Sequence, residues 1–221
     1  MLPRRIAIVG GGDWGFNLGM VEVLRRIGLS PVTTAAEELA SGRVLLGSGA
    51  SFLVLEAKSH ARRRRHIPVA EVLGYGESTE SGGSRTEAYE RAIGAALRMA
   101  RSDPEELSFV HLDSAAGGGI APEEPAIAAL APEHAGSLHA TTSRAAVGYI
   151  PCAAAAFDVG VSALALRARL LPPMPPRWAR SLRTLRGVVE GARGGVYRKA
   201  LATCAGFDGA TSAIVLGSSL G

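Results

Sequence analysis

Two cysteines, Cys152 and Cys204, are the thiols of this 221-residue chain. A thiolate held in an electropositive setting is a nucleophile able to carry an acyl group. Cys152 opens a long apolar stretch, and a helix N-terminus lowers a thiol pKa. Its neighbours Pro151 and Ala153 are apolar, though, and the economical reading of both cysteines is a small buried hydrophobe. An imidazole donates or accepts a proton near neutral pH, and His111 is the one placed to serve such a thiol. It lies two residues before Asp113 in a strand-like run, Leu107 to Leu112, so alternation puts both on one face. The loop that follows, Asp113 to Gly119, leaves a strand, and strand-to-loop junctions are where α/β sheets place function. A third constellation is Gly10-Gly11-Gly12-Asp13-Trp14-Gly15, which has the G-x-G-x-x-G spacing after an apolar strand, Arg5 to Val9. Nucleotide binding would also need a helix, a second strand and an acidic residue ending that strand. Gly19 to Ile27 supplies the helix, but Ser30 to Ala36 supplies no strand, so the glycines read as a tight turn.

The elements that must position these residues surround one stretch, Cys152 to Leu170. Ala153, Phe157, Gly160, Leu164 and Ala168 fall three or four apart and share a helical face. The opposite face stays apolar as far as Arg167 and Arg169, which predicts a central helix buried all round. Pro172 and Pro173 end it. Val44–Leu46 and Phe52–Leu55 read as strands paired around Gly47-Ser48-Gly49. Ala57–Arg65 reads as a helix ending in four arginines, and Val69–Tyr75 as a strand. Ser84 with Glu87 fits a capping box, opening a helix whose buried face is Tyr89, Ile93, Leu97 and Ala100. Glu123–Leu130 is a short helix and Ser137–Ala140 a strand. In Met174–Lys199, Trp178, Leu182, Leu185 and Val189 alternate with Arg177, Arg180, Arg183 and Arg186, the pattern of a basic amphipathic helix that docks an acidic partner or a membrane surface, or equally of a packed surface segment. Leu201–Ala205 and Ala213–Leu216 form a hairpin across Gly206 to Gly209.

Composition sets the class. Hydrophobic residues at 47% and charged residues at 20% exclude a disordered chain. The length suits a single α/β domain. MLPRR is followed by only a short apolar run, and no stretch is long and charge-free enough to span a bilayer, so a reduced, cytoplasmic protein is expected.

Four of these stretches resemble one family. Leu45–Glu56, the AEVLGYG of Ala70–Gly76, the central helix with its Leu-Pro-Pro exit, and the terminal AGFDGATSAIVL look like the β-ketoacyl synthases of fatty-acid and polyketide synthesis. The resemblance covers nearly all of this chain but only the C-terminal half of that family. It implies a thiolase-like α/β fold, a layered sheet with a buried central helix, incomplete relative to the full two-half fold. On it, residues 1–42 are a remnant of the N-terminal half and 43–221 the C-terminal half.

The family's chemistry uses a cysteine, in the half without a counterpart here, and two histidines. The resemblance places Asp113 where the first histidine stands, and Ala115 and Gly117 where two threonines meet phosphopantetheine. It places Tyr149 at the second histidine, five residues after Arg144, and Phe207 at a gating phenylalanine. What remains is a remnant acyl and phosphopantetheine pocket of Phe207, Arg144, Ala115 and Gly117, with no resident cofactor or metal. Asp113-Ser114-Ala115-Ala116-Gly117 and Phe157-Asp158-Val159 resemble chain-length factors, the non-catalytic partners of type II ketosynthases. The expectation is therefore a non-catalytic subunit that pairs with an active ketosynthase, or with a separately encoded N-terminal half. Half of such a fold leaves an apolar face bare. The arginines at 62–65 and 177–186 would meet an acidic acyl carrier protein. Two alternatives remain: an active acyltransferase using Cys152 or Cys204 with His111, and a nucleotide-binding protein.

Overall fold

The computed structural model describes residues 5–13, 18–26, 31–32, 44–80, 82–113, 122–206 and 208–219. In chain order the strands are β1 (Ile6–Asp13), β2 (Pro31–Val32), β3 (Val44–Leu45), β4 (Gly49–Glu56), β5 (Ala70–Thr79), β6 (Phe109–His111), β7 (His139–Thr141), β8 (Leu170–Leu171), β9 (Arg186–Gly187), β10 (Arg193–Gly194), β11 (Lys199–Ala205) and β12 (Ala210–Ser218). The α-helices are α1 (Leu18–Arg26), α2 (Lys58–Arg63), α3 (Arg85–Ala100), α4 (Glu123–Leu130), α5 (Arg144–Val147), α6 (Ala154–Ala168) and α7 (Pro176–Ser181).

Six strands form the main sheet in the order β5-β12-β11-β6-β7-β9. The terminal hairpin β11–β12 and its neighbour β5 are antiparallel, and β11, β6, β7 and β9 run parallel. One face carries α3. The Ser84 hydroxyl accepts from the Glu87 N–H at its start, as the cap pattern requires. Tyr89, Ile93 and Leu97 pack on Val110, Leu201 and Val215. Gly74 and Gly76 let the helix lie against β5: a Cβ at either would sit 2.1 Å from a carbonyl oxygen of α3. The other face carries α6. Leu166 packs there with Phe109, Tyr197 and Leu216, and the Phe109 and Tyr197 rings meet edge to face at 5.6 Å. Beyond α6 lies a second sheet of only two strands, β1 and β4, in antiparallel register from Ile6↔Glu56 to Asp13↔Gly49. The layers are thus helices, six-stranded sheet, α6, two-stranded ribbon.

Several expectations change. Gly10–Gly12 lie inside β1, paired with β4, rather than in a strand-to-helix turn. An antiparallel strand cannot present the amide cradle that a dinucleotide needs, so Gly10–Gly12 do not form one; Trp14 and Gly15 lie outside the described residues. β3 does not pair with β4; it lies parallel to β2, and β4 pairs with β1 across the division at residue 42. The central helix is not buried all round. Its buried face is Ala154, Asp158, Ser162, Ala165 and Leu166, whereas Leu164 and Ala168, on the face expected inside, are exposed. The basic helix over Met174–Lys199 is broken after Ser181. The reason is local: the Glu124 carboxylate accepts the backbone N–H groups of Arg183, Thr184 and Leu185, fixing a non-helical turn.

Candidate functional site

At the C-terminal ends of β6 and β7 four ionisable side chains converge. His111 ends β6 and Asp113 follows two residues later; Arg144 opens α5 just beyond β7; Asp158 projects inward from α6. All four are at most 2% exposed. Arg144 sits between the two carboxylates. Its Nη2 donates to Asp113 and, at 2.7 Å, to Asp158 Oδ2, and its Nε donates to the Asp113 carbonyl at 2.9 Å. Asp113 Oδ2 accepts the Ala205 N–H at 2.9 Å, and Asp158 Oδ1 accepts the Ser143 hydroxyl at 2.5 Å. His111 Nε2 stands 3.2 Å from Asp158 Oδ1. The Arg144 guanidinium lies 5.2 Å from the Tyr149 ring centre, and the Tyr149 hydroxyl donates to the Ala205 carbonyl at 3.4 Å.

The electrostatics separate the two acids. Burial pushes the Asp113 carboxyl above its ordinary range, and the Arg144 charge offsets this only in part. Burial also works against Asp158, but the His111 hydrogen bond and the Arg144 charge outweigh it and hold its carboxyl below the ordinary range. Asp158 is therefore the stronger acid of the two. Burial, then Asp113, raise the Tyr149 phenol.

Beside this cage lies a cleft of about 320 Å³, bordered by Tyr75, Glu77, Tyr149, Cys204 and Thr211. Cys204 is half-buried, and burial followed by the Asp113 charge raises its thiol, so it stays protonated at neutral pH. Cys152 is exposed on the turn before α6, a correction to its reading as a buried hydrophobe. The structure thus brings His111, Asp113, Arg144 and Tyr149 together, with Cys204 at their edge. Ala115, Gly117 and Phe207 lie outside the described residues. Arg144 binds the two acids through Nε and Nη2, and its Nη1 is buried with no hydrogen-bond partner among the described residues. Sequence reasoning noted Asp158 only within Phe157-Asp158-Val159 and not as a site residue, and it passed over Ser143. A lone acid in the apolar run Ala153–Leu166 was the available signal, since a charge inside a helix of that kind must be paired. Among the described residues no group of His, Cys, Asp and Glu is placed to hold a metal ion. None of their helices is long and apolar enough to cross a membrane.

The ribbon completes the picture. Ala7, Val9, Leu53 and Leu55 point one way along β1 and β4, and Leu53 meets α6 at Gly160. On the outer face Ile8 and Val54, directly opposite each other, are 71% and 69% exposed, and Phe52 and Ile6 beside them are 63% and 53% exposed.

No family model matches the chain. A curated relative, the putative polyketide beta-ketoacyl synthase 2 of Streptomyces halstedii, is 37% identical over 193 residues, covering 84% of this chain and 44% of its own length. The chain belongs to the β-ketoacyl synthase family. Two solved structures share its thiolase-like fold. The ishigamide ketosynthase/chain length factor superposes with a TM-score of 0.79 at 23% identity, over 97% of this chain and 54% of the other. A type II polyketide synthase acyl-carrier protein in complex with its ketosynthase bound to the hexaketide gives 0.82 at 18% identity, over 97% and 56%. The chain spans about half the length of the proteins it matches, a share that fits a C-terminal half.

Proposed function

We propose that this chain is a non-catalytic, chain-length-factor-like subunit that pairs with an active β-ketoacyl synthase in polyketide or fatty-acid-type chain elongation. The observation that carries this reading is the cage. Where the family resemblance puts a histidine, Asp113 is fully buried and bound to Arg144 and to the Ala205 amide. Where it puts the second histidine, the Tyr149 hydroxyl is spent on a backbone carbonyl. Neither group offers a neutral imidazole donor to a developing enolate oxygen. His111 is no substitute, because it is wholly buried and paired to Asp158. The Cys204 thiol is held in its unreactive form by burial.

The bare face of β1 and β4 supports the pairing. A two-stranded ribbon is marginal alone, and four large apolar side chains on its outer face make a surface that soluble proteins cover. An elongation complex would bring its acyl chain on an acyl carrier protein, and this subunit would contribute wall rather than chemistry. The test is turnover of malonyl-loaded carrier protein. The purified chain alone should release no carbon dioxide above background, and it should bind an active ketosynthase of its own pathway in pull-down. Decarboxylation by the chain unaided would overturn the reading.

A further inference from the structure

The opposite end of the molecule carries a second surface that the cage and ribbon do not use. The Arg167 guanidinium donates to the Pro68 carbonyl, tying the end of α6 to the segment that leads into β5. Arg65 precedes Pro68 by three residues, and Arg169 follows α6 directly. β8 pairs with β10, which brings Arg193 alongside, and the Gly195 N–H closes the join on the Arg169 carbonyl. Arg65, Arg167, Arg169 and Arg193 are all exposed, and none makes an ion pair among the described residues. Two acids toward this end are already engaged, Glu56 by Arg64 and His60 and Glu71 by Lys58. Between the arginines lie apolar side chains open to solvent: Ile67 at 58%, Leu164 at 60%, Leu170 at 45% and Val196 at 67%.

Two of these arginines occupy backbone positions where glycine is the favoured residue. Arg65 has φ 55° after α2, and Arg169 has φ 54° at the end of α6. A side chain in that left-handed region costs on the order of 1 kcal/mol relative to glycine. Of the three non-glycine residues in that region, Arg65, Arg101 and Arg169, two fall on this surface and project their charges from it.

We propose that this arginine-rimmed apolar face docks an acidic, amphipathic helix of a partner protein. Arginines around an apolar centre are the composition of a protein interface. Four unpaired cations call for carboxylates. The exposed last turn of α6, with Ala168 on it, and Gly194, where a Cβ would meet nothing within 4 Å, leave room for a second helix to lie close. A nucleic-acid backbone has no complement for Ile67, Leu164 and Val196. The surface is remote from the cleft: it adjoins Val69 at the start of β5, whereas the cleft adjoins Ser78 near its end, roughly 30 Å away at strand rise. It therefore serves assembly rather than substrate delivery.

The test uses the full chain and a labelled helical peptide of about 20 residues, roughly 30 Å long, with Leu and Glu at i and i+4 spacing. The informative variant is Arg65→Gly with Arg169→Gly. A merely structural role for these arginines predicts unchanged or raised thermal stability and unchanged peptide affinity. The proposal predicts unchanged or raised stability together with an affinity loss of about tenfold or more, which is the loss of one or two charge pairs. Arg193→Gln should weaken binding in the same direction, and raising the salt should weaken it further. Equal affinity for a peptide with Gln in place of Glu would overturn the proposal. So would no binding at all, or tighter binding to a DNA duplex or to phosphatidylglycerol vesicles.

Discussion

Replacing Asp158 probes the cage most sharply. Its carboxylate faces Arg144, His111 and Ser143 at once, at 1% exposure. Asp158→Asn preserves shape and one acceptor but removes the anion. Arg144 is then left with Asp113, whose burial favours the neutral form. Breaking one side of a buried ion pair costs about 3–5 kcal/mol, because the remaining charge is stranded. Asp113→Asn is milder. It leaves the Asp158 anion beside Arg144, and an Asn oxygen still accepts the Ala205 N–H, so about 1–2 kcal/mol is expected, the scale of one hydrogen bond. Arg144→Met should cost at least as much as Asp158→Asn, because it strands both acids. Adding Asp113→Asn and Asp158→Asn to Arg144→Met should recover more than half of that loss, since a neutral cluster of similar volume no longer carries buried charge. Urea unfolding followed by far-UV circular dichroism, at one fixed protein concentration so that association does not intrude, measures each value. A cost below about 1 kcal/mol for Asp158→Asn, or equal costs for the two single Asn variants, would refute the reading of Asp158 as the stronger acid and the main partner of Arg144.

Opposite pH slopes follow from the two acids. Asp158 has a lowered folded pKa, so its contribution is present above the unfolded value near 3.8 and is lost on acidification below it. Asp113 has a raised folded pKa, so its contribution is present below 3.8 and is lost as pH climbs through the folded value. Urea midpoints of Asp158→Asn and Asp113→Asn, each relative to the parent and followed from acid to neutral pH, should diverge in opposite directions. At the sheet, Gly76→Ala should destabilise by about 2 kcal/mol or more, because its Cβ would collide with the Ala92 carbonyl, whereas Gly82→Ala, at φ 69° but in open space, should cost about 1 kcal/mol. On the ribbon, Ile8 and Val54 would each contribute about 1–2 kcal/mol when covered. Ile8→Glu with Val54→Glu should therefore weaken pairing with the proposed partner at least about thirtyfold, read by sedimentation or pull-down; full retention of pairing would remove the ribbon from the interface.

The elements most legible in the sequence are those whose signals are local. The Ser84 cap, the Tyr89–Ile93–Leu97 stripe and the hairpin around Gly206–Gly209 each need only a few neighbouring residues; the stripe and hairpin stand as expected, and of the Ser84–Glu87 box the structure shows the Ser84 half. Pairing partners are not local. Two apolar runs flanking Gly47-Ser48-Gly49 look like a hairpin, yet β4 takes a partner some forty residues upstream and β3 takes another. The arginine-rich segment after Pro175 has helical spacing, but the Glu124 carboxylate, about sixty residues away in sequence, captures its amides. The face of α6 was misjudged because alanine and glycine hardly distinguish inside from outside, and the one informative residue, Asp158, is polar yet buried. Of the candidate site, Asp113, Tyr149 and Arg144 were reachable through the family resemblance. The ion pair that joins them with Asp158 was not, because it closes between two strand ends and a helix far apart in the chain.

The central claim is a synthase scaffold whose reactive positions have become a structural ion pair. Carbon dioxide release from malonyl-loaded carrier protein measures it directly, with the purified chain alone and again with the active ketosynthase proposed as its partner. The account predicts no release above background from the chain alone, and release by the pair that survives Cys204→Ala in this subunit. Turnover by the isolated chain, abolished by Cys204→Ala or Cys152→Ala, would contradict it.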